Sequence, residues 1–429
     1  MAVGRAPLPP ASRLCRADLH RPPLAFTLPR VRGDFPQPFG PYELLRRVGR
    51  GGMAEVFLAK APSIQGQPRL VAVKRMHPQL GNDRAAVDML VQEAKLCLRF
   101  DHPAIAQTFE LGHHDGIWYF VMEYVDGVDL GALVQVVAAM GERLDPVAVA
   151  FIVAAMARGL DHAHKLKGAD GRPLGIVHRD VSPQNVLIST RGEVKLIDFG
   201  VAKVAAKVEQ TIAGVIKGKY AYMSPEQAAA QPLDARSDVF SLGTCLYELL
   251  TAQGLFRQKE TASPFAVLHA VREAPIPPLR SVMPDVPQPL AELTERCLLR
   301  DRDRRPGSAA EVADALEAWL AVAAPTFGPA ALAALVAGIL ADAPEDVRQP
   351  SDVATPPLPA LDRTAFVASP YTIVAQVPVA PTVFSAPPQR PIWWPTRQAT
   401  LQFLAVGGGA LVFTVAWMIV ASLVRAGRL

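Results

Sequence analysis

The sequence is short of cysteine and of net charge, and each shortage excludes a class of protein. The four cysteines are scattered, with no C-x-x-C pair and no histidine at ligand spacing: Cys15, Cys97, Cys245 and Cys297. This excludes a disulfide framework and a sequence-evident zinc site. A net charge of +4 is too weak to indicate nucleic-acid binding. The first 40 residues lack the apolar run of a signal peptide.

Proline is abundant and unevenly placed. Of the 40 prolines, 23 lie within residues 1–41 and 325–395. Proline-rich chains favour extended conformations over packing. We therefore expect a disordered basic arm over residues 1–40 and a Pro/Ala-rich linker over residues 323–400. The linker contains one candidate short helix, at residues 329–341.

The middle of the chain has the patterning of a folded domain. Five strand-like runs come first, with one amphipathic helical stretch between the third and the fourth: 42–48, 54–59, 70–76, 104–111 and 118–124. From residue 130 onward, long Ala/Leu/Val-rich helices follow. Strands grouped before helices indicate an α+β fold. We expect two lobes, residues 41–124 and residues 125–322.

The last apolar segment predicts a membrane span. Residues 403–424 carry no charge, and 22 helical residues reach about 33 Å, enough to cross a hydrocarbon core of about 30 Å. Tryptophans before the segment and arginines after it are typical of the membrane interface. We expect a transmembrane helix over residues 402–424 and a short tail over residues 425–429.

Glycines near the start of the folded region predict a phosphate-binding turn. Gly49, Gly51 and Gly52 lie between two strand-like runs, where glycine lets main-chain N–H groups approach phosphate oxygens. Lys74 ends the third strand, and Glu93, on the helical stretch, is the acid expected to reach it. A lysine held by such a partner binds α- and β-phosphates.

Two acidic motifs follow in the second lobe. Asp180 and Asn185 lie in the run 178–185, and Asp198 follows in Asp-Phe-Gly. One carboxylate would orient an attacking hydroxyl and accept its proton, and the other, with an amide oxygen, would hold Mg²⁺. With all these motifs in this order, the chain resembles the bacterial branch of the eukaryotic-like serine/threonine protein kinases, including those of myxobacteria. The resemblance covers about residues 42–321.

The resemblance implies a bilobal protein-kinase fold, with a five-stranded antiparallel sheet and one helix in the first lobe and mainly helices in the second. It implies ATP and Mg²⁺ as cofactors. Asp180 would be the catalytic base, Lys74 would bind phosphates, and Asn185 and Asp198 would hold the metal. The residues implied to bind ATP are Val48, Gly49, Arg50, Gly51, Gly52, Met53, Ala54, Val56, Ala72, Lys74, Glu123, Val125 and Leu187, with Met122 guarding the back of the pocket.

The resemblance also assigns structural roles. Glu226, in Ser-Pro-Glu, would pair with Arg305, and Asp238 would brace the catalytic loop. The alternative for these residues is a set of ordinary surface ion pairs. Phe199 and Gly200 complete the magnesium motif, and His178 would support the loop without acting as a base.

Arg179 carries a regulatory implication. Kinases with arginine before the catalytic aspartate usually respond to a phosphate on the activation segment, because guanidinium pairs with phosphate. Here that segment is residues 201–223, whose hydroxyls belong to Thr211, Tyr220 and Tyr222. Thr211 is the favoured phosphosite.

Two departures from the family pattern fall together. Ser182 stands where the serine/threonine branch usually has lysine, and Lys219 stands where it usually has threonine. In the family those two side chains meet each other and the catalytic aspartate. We expect Lys219 to contact Asp180 and Ser182 and to replace the missing charge, because the effect depends on where the charge lies. The alternative is tolerated drift with slow phosphoryl transfer.

The motifs lead to a bacterial protein kinase that acts on serine and threonine hydroxyls of proteins in signalling. A pseudokinase scaffold that binds nucleotide without transferring phosphate, and a small-molecule kinase, remain as alternatives. The expected partners are protein substrates and a second copy for trans-autophosphorylation, with no nucleic acid. We expect a single-pass protein of the inner membrane with a cytoplasmic kinase domain, because that domain needs cytosolic ATP.

Overall fold

The computed structural model describes residues 35–64, 67–81, 83–199, 219–256 and 263–344. Within them the chain forms a sheet-rich lobe followed by a helical lobe, as the α+β prediction requires. The greater part of the predicted arm, the linker beyond 344 and the membrane span at 402–424 lie outside these residues.

The first lobe contains an antiparallel sheet with strand order β1-β2-β3-β4-β6-β5. Its strands are β1 (Gln37–Phe39), β2 (Tyr42–Arg50), β3 (Ala54–Ile64), β4 (Gln67–Met76), β5 (Thr108–His114) and β6 (Ile117–Glu123). The sheet has six strands, so the predicted five is wrong. The additional strand, β1, lies in the stretch predicted to be disordered. It forms because Gly40, at φ 56°, turns the chain so that Phe39 pairs with Tyr42 and packs on Tyr119.

Helix α1 (Arg84–Cys97) packs against β5 and β6 of this sheet. Asp83 caps its first turn by accepting hydrogen bonds from the main-chain N–H groups of Ala85 and Ala86. Leu90 and Ala94 are buried in one cluster with the inner face of the sheet. This packing fixes the rotation of the helix and brings Glu93 toward β4.

The second lobe is built around two buried helices, Pro146–His164 and Arg236–Thr251. Its helices are α2 (Leu130–Ala139), α3 (Pro146–His164), α4 (Pro225–Ala228), α5 (Arg236–Thr251), α6 (Pro264–Glu273), α7 (Leu279–Val282), α8 (Gln288–Cys297), α9 (Ala309–Ala323) and α10 (Pro329–Asp342). A three-stranded sheet lies at the cleft: β7 (Gly127–Asp129), β8 (Val186–Ser189) and β9 (Val194–Leu196). Among the described residues, α3 is the one helix long and apolar enough to cross a membrane, and it is mostly buried in the core.

Helix α10 lies where the sequence predicts the start of an extended linker. Four of its apolar side chains are buried in the core of the second lobe: Leu332, Leu335, Val336 and Ile339. The linker prediction from residue 323 is therefore wrong as far as Asp342, and the candidate helix is present and docked. Composition misleads here because Pro329 occupies the first turn, where proline costs no hydrogen bond.

Candidate active site

The glycine-rich turn joins β2 to β3 at the mouth of the cleft. The Gly51 N–H donates to the Ala54 carbonyl at 2.8 Å. A Cβ on Gly52 would meet no atom within 4 Å, so open space lies over this part of the turn. The turn also contacts the end of β4, since the His77 N–H donates to Met53 O at 3.0 Å and the His77 ring lies 2.8 Å from Gly51 O. His77 belongs to none of the sequence motifs that point to this site.

Lys74 joins three elements of the site. Its Nζ donates to Glu93 Oε1 at 3.0 Å and to Asp198 Oδ1 at 2.6 Å. Burial opposes the charge of Lys74, but Asp198 and Glu93 outweigh it and hold its pKa above the ordinary value. The structure therefore brings together the lysine, the helix acid and the aspartate of the Asp-Phe-Gly motif.

Phe199 fixes the orientation of that motif. Its ring is 1% exposed and lies between the rings of Phe100 and His178, at 4.3 and 4.4 Å between centroids. Asp198 itself adopts φ 55°, which is uncommon for a residue with a side chain. The buried ring and the left-handed backbone together turn the Asp198 carboxylate toward Lys74.

The catalytic loop places Asp180 beside Asn185. The Asn185 amide nitrogen donates to the Asp180 carbonyl at 2.7 Å and to its carboxylate at 2.8 Å. Arg179, just before them, has φ 67°. Such backbone strain is held only where surrounding contacts determine it, and it concentrates at functional sites.

Asp238 supplies those contacts from α5. Its two carboxylate oxygens accept separate main-chain hydrogen bonds, from His178 N at 2.7 Å and from Arg179 N at 2.9 Å. His164 Nε2 lies 2.7 Å away. Burial raises the pKa of Asp238, but its hydrogen bond to His164 and the nearby His178 lower the net value. Asp238 thus lies where the sequence expects the brace of the catalytic loop.

Glu226 and Arg305 form a two-pronged ion pair in the interior. The guanidinium donates to both carboxylate oxygens at 2.7 and 2.9 Å, and Ser237 donates to one of them at 2.7 Å. The side chains are 4% and 0% exposed, so the surface-pair alternative is wrong. Gln227 then donates to the Arg179 carbonyl at 3.0 Å, which ties this anchor to the catalytic loop.

Several of the residues predicted to contact adenine lie on the first-lobe sheet. Ala72 pairs with Met122 across β4 and β6, and Val56 packs against the same cluster. Leu187, on β8, is half-buried. At the end of β6, Glu123 forms an ion pair with Lys195 at 3.1 Å. Lys195 belongs to none of the sequence motifs, although it lies three residues before Asp198.

Several predicted residues are only partly described. Gly200 and Thr211 lie outside the described residues, and Lys219 begins a 3-10 turn without a described side chain. Ser182 is 1% exposed, and its Oγ has no hydrogen-bond partner among the described residues. The Tyr222 hydroxyl donates to buried Glu248, so it is not offered for phosphorylation.

Comparison with known proteins agrees with this arrangement. The protein kinase domain family matches residues 42–317. The tyrosine-protein kinase MasK of Myxococcus xanthus is 41% identical over 285 residues, which cover 66% of this chain and 44% of MasK. The serine/threonine-protein kinase PknB of Mycolicibacterium smegmatis is 38% identical, covering 63% of this chain and 41% of PknB. The chain therefore spans less than half the length of these relatives.

A solved structure resembles the chain as well. The PknI kinase domain of Mycobacterium tuberculosis is 27% identical, with a TM-score of 0.50, over 67% of this chain and 98% of that domain. The family match includes Lys74, Glu93, Asp180, Asn185 and Asp198, which the structure gathers at one cleft. On the family match, the chain belongs to the protein kinase family, and it is similar to bacterial members named as tyrosine-protein and serine/threonine-protein kinases.

Proposed function

We propose that the chain is an active protein kinase that transfers the γ-phosphoryl group of ATP to serine and threonine hydroxyls of proteins in bacterial signalling. One observation carries the proposal: Lys74 donates hydrogen bonds to both Glu93 and Asp198. The lysine expected to bind phosphate and the aspartate expected to bind metal are therefore already in contact. A scaffold that bound no nucleotide would have no need of these contacts, and Asp180, held by Asn185, adds the proton acceptor that transfer requires.

The donors present fit a nucleotide with magnesium. Among the described residues no cluster of three or more His, Cys, Asp or Glu side chains could hold a metal alone. Mg²⁺ needs few protein ligands, because phosphates and water complete its oxygen shell. Asp198, whose side chain is 40% exposed, and the Asn185 amide oxygen are suitable donors. When bound, the ion would neutralise charge on the phosphates.

The remaining side chains would do the positioning. Asp180 would accept the proton of the acceptor hydroxyl, while Asn185 holds its carboxylate in place. Lys74 would bind the α- and β-phosphates, and the main-chain N–H groups of the glycine-rich turn would cover them. Glu123 and Val125 would bind adenine through the main chain.

Arg179 supports the proposal that phosphorylation regulates the site. Its Nε is buried and has no hydrogen-bond partner in the described part of the chain. Burial lowers the pKa of Arg179 and Asp238 opposes this, so the guanidinium would gain from a nearby anion. A phosphate on Thr211, added by a second copy of the chain, would supply that anion.

The nature of the acceptor hydroxyl gives a second candidate. MasK is named a tyrosine-protein kinase, whereas PknB is named a serine/threonine-protein kinase. Ser182 replaces the lysine usual in the serine/threonine branch and is buried, which leaves tyrosine open as an acceptor. Phosphoamino-acid analysis of autophosphorylated chain separates the two. We expect phosphothreonine and phosphoserine, and phosphotyrosine alone would reverse the assignment.

The test of activity is phosphate transfer from labelled MgATP by the full-length chain, with Asp180→Asn as the control. We expect incorporation by the wild type and none by the variant. Nucleotide binding without incorporation by the wild type would identify a pseudokinase scaffold instead.

We further propose that residues 402–424 anchor the kinase in the inner membrane, with the catalytic lobes on the cytoplasmic side. The support is the absence of charge in this run and the need of the lobes for cytosolic ATP. Protease added outside intact spheroplasts should leave the lobes undigested. Digestion of the lobes would show the opposite topology.

A further inference from the structure

Helix α10 follows the end of the region that matches the kinase family. The match ends at residue 317, and α10 begins at Pro329. Leu332 and Ile339 are 0% exposed, as is Ala343 just after the helix. The helix is therefore part of the packed second lobe, although it is additional to the family domain.

Helix α10 docks on two elements of the second lobe, helix α2 and the turn between β8 and β9. Helix α10 packs against α2, the first helix after the chain leaves β6. Its first turn also lies against the turn between β8 and β9. A Cβ on Gly192 would come 1.8 Å from the Pro329 carbonyl oxygen, so this contact requires glycine. Phe327 packs edge-on against Phe151 of α3 at 5.6 Å, which anchors the connection from α9.

These two docking partners hold the segment that follows Val125. Thr190 N donates to Asp126 O at 2.8 Å, and Gly127 pairs with Ser189 in the β7–β8 ladder. Asp129, opposite Leu187 in the same ladder, caps α2 by accepting from Ala132 N at 2.8 Å. A continuous set of contacts therefore runs from α10 through the β8–β9 turn and α2 to the segment beside the adenine pocket.

We propose that α10 is a positioning helix for the nucleotide site, and that its docking on α2 and on the β8–β9 turn raises the affinity for ATP. The inference rests on the proposed function, because it takes Glu123 to Val125 as the adenine-binding segment. Coupling between two sites is reciprocal, so bound nucleotide in turn strengthens the docking of α10. The residues after 344 then connect to the catalytic domain through a helix that senses nucleotide.

A purely structural role would give a different pattern. If α10 only added core packing, any equal loss of packing in the same lobe would have the same effect on nucleotide binding. Leu316 of α9 provides the matched control. It is also 0% exposed, but α9 packs against α3, α5 and α8.

The experiment compares Leu332→Ala with Leu316→Ala in the full-length chain. The first readout is the Kd for a non-hydrolysable ATP analogue with Mg²⁺, measured by calorimetry. We expect Leu332→Ala to raise Kd about 5- to 10-fold, within the usual range of coupling between sites, while Leu316→Ala stays near wild type. Equal effects of the two variants, or no effect of Leu332→Ala, would overturn the inference. If the wild type binds no nucleotide, the proposed function fails instead.

A second readout is hydrogen exchange without nucleotide. Leu332→Ala should speed exchange in residues 126–139, and Leu316→Ala should not. In the wild type, the analogue should slow exchange within α10. Ile339→Val, which removes one methyl group, provides a folded variant if Leu332→Ala does not fold, and it should raise Kd in the same direction. Unchanged Kd and exchange in Ile339→Val would contradict the coupling.

Discussion

The carboxylates that face the cleft and the carboxylates that anchor the second lobe are held in opposite ways. The Asp198 side chain is 40% exposed and accepts a hydrogen bond from the Lys74 ammonium. Asp238 and Glu226, by contrast, are 0% and 4% exposed. Asp238 accepts hydrogen bonds from two main-chain N–H groups, and Glu226 accepts hydrogen bonds from the Arg305 guanidinium and the Ser237 hydroxyl.

This difference in exposure distinguishes carboxylates that can take part in the reaction from carboxylates that stabilise the fold. A buried charge is tolerated only when it is paired, so removing one partner leaves a large penalty in the folded state. A cleft carboxylate keeps access to solvent and can exchange a lysine partner for a metal ion or a proton. Substitutions of the anchors should therefore change folding, and substitutions in the cleft should change turnover.

The anchor pair gives the largest expected effect. Arg305→Met leaves the Glu226 carboxylate buried without its guanidinium, which should cost about 3–5 kcal/mol of unfolding free energy. Arg296, paired with Glu311 at 2.6 Å, is the control, because both side chains are about half exposed. Arg296→Met should cost under about 1 kcal/mol. Urea unfolding of the full-length variants measures both losses of unfolding free energy. Equal losses would show that the buried pair is no more important for stability than the exposed pair.

The cleft lysine should instead affect turnover. Lys74→Met removes the charge shared by Glu93 and Asp198, and phosphoryl transfer should fall by ~10²–10³. Lys60 is the matched control, since it pairs with Glu43 at 3.0 Å on the same sheet but is exposed. Steady-state kinetics should show Lys60→Met close to wild type. Comparable losses in the two variants would remove the special role of Lys74.

The proposed exchange of side chains predicts a slightly smaller loss. Lys219→Ala should reduce kcat by about 10², if Lys219 supplies the charge that a lysine at position 182 would give. The double variant Ser182→Lys with Lys219→Thr should recover much of it. Wild-type kcat in Lys219→Ala, or no recovery in the double variant, would favour tolerated drift.

Acid pH should gradually reduce the stabilisation that the Glu226–Arg305 pair provides. Burial raises the pKa of Glu226, but hydrogen bonds from Arg305 and Ser237 outweigh it and lower the net value. A carboxyl whose pKa is depressed by folding stabilises the protein above its unfolded pKa, and this contribution disappears as pH falls through the folded pKa. The stability difference between wild type and Glu226→Gln should therefore shrink from pH 7 toward pH 3. A constant difference would show that ionisation of Glu226 contributes nothing.

The sequence predicted the cleft residues and the two buried anchors, Asp238 and the Glu226–Arg305 pair, but not the other contacts that support them. The Lys74–Glu93 contact could be expected because each residue has a motif, a spacing and an element that place it. Lys195–Glu123 and Gln227–Arg179 could not, because they join segments that only tertiary folding brings together. The Ser-x-x-Gln pattern at Ser224 did carry a signal, since it is a capping box.

The two errors of fold have physical causes. Strand β1 spans three residues, of which the middle one is Pro38, so it shows no alternation and depends on packing by Phe39. Helix α10 could be expected from its short apolar run, but its packing on the second lobe could not, because alanine, leucine and valine occupy every side and no amphipathic face marks a buried surface. Both elements are stabilised by contacts with distant parts of the chain.

The central claim is that Asp180 takes part in phosphoryl transfer, whereas Asp238 stabilises the catalytic loop. Parallel unfolding of two isosteric variants tests this claim most directly. Asp180→Asn keeps an amide oxygen to accept from Asn185, so its unfolding free energy should stay within about 0.5 kcal/mol of wild type. Asp238→Asn keeps only one acceptor for the two N–H groups of His178 and Arg179, so it should lose about 1.5–3 kcal/mol. Equal destabilisation of the two variants would contradict the account.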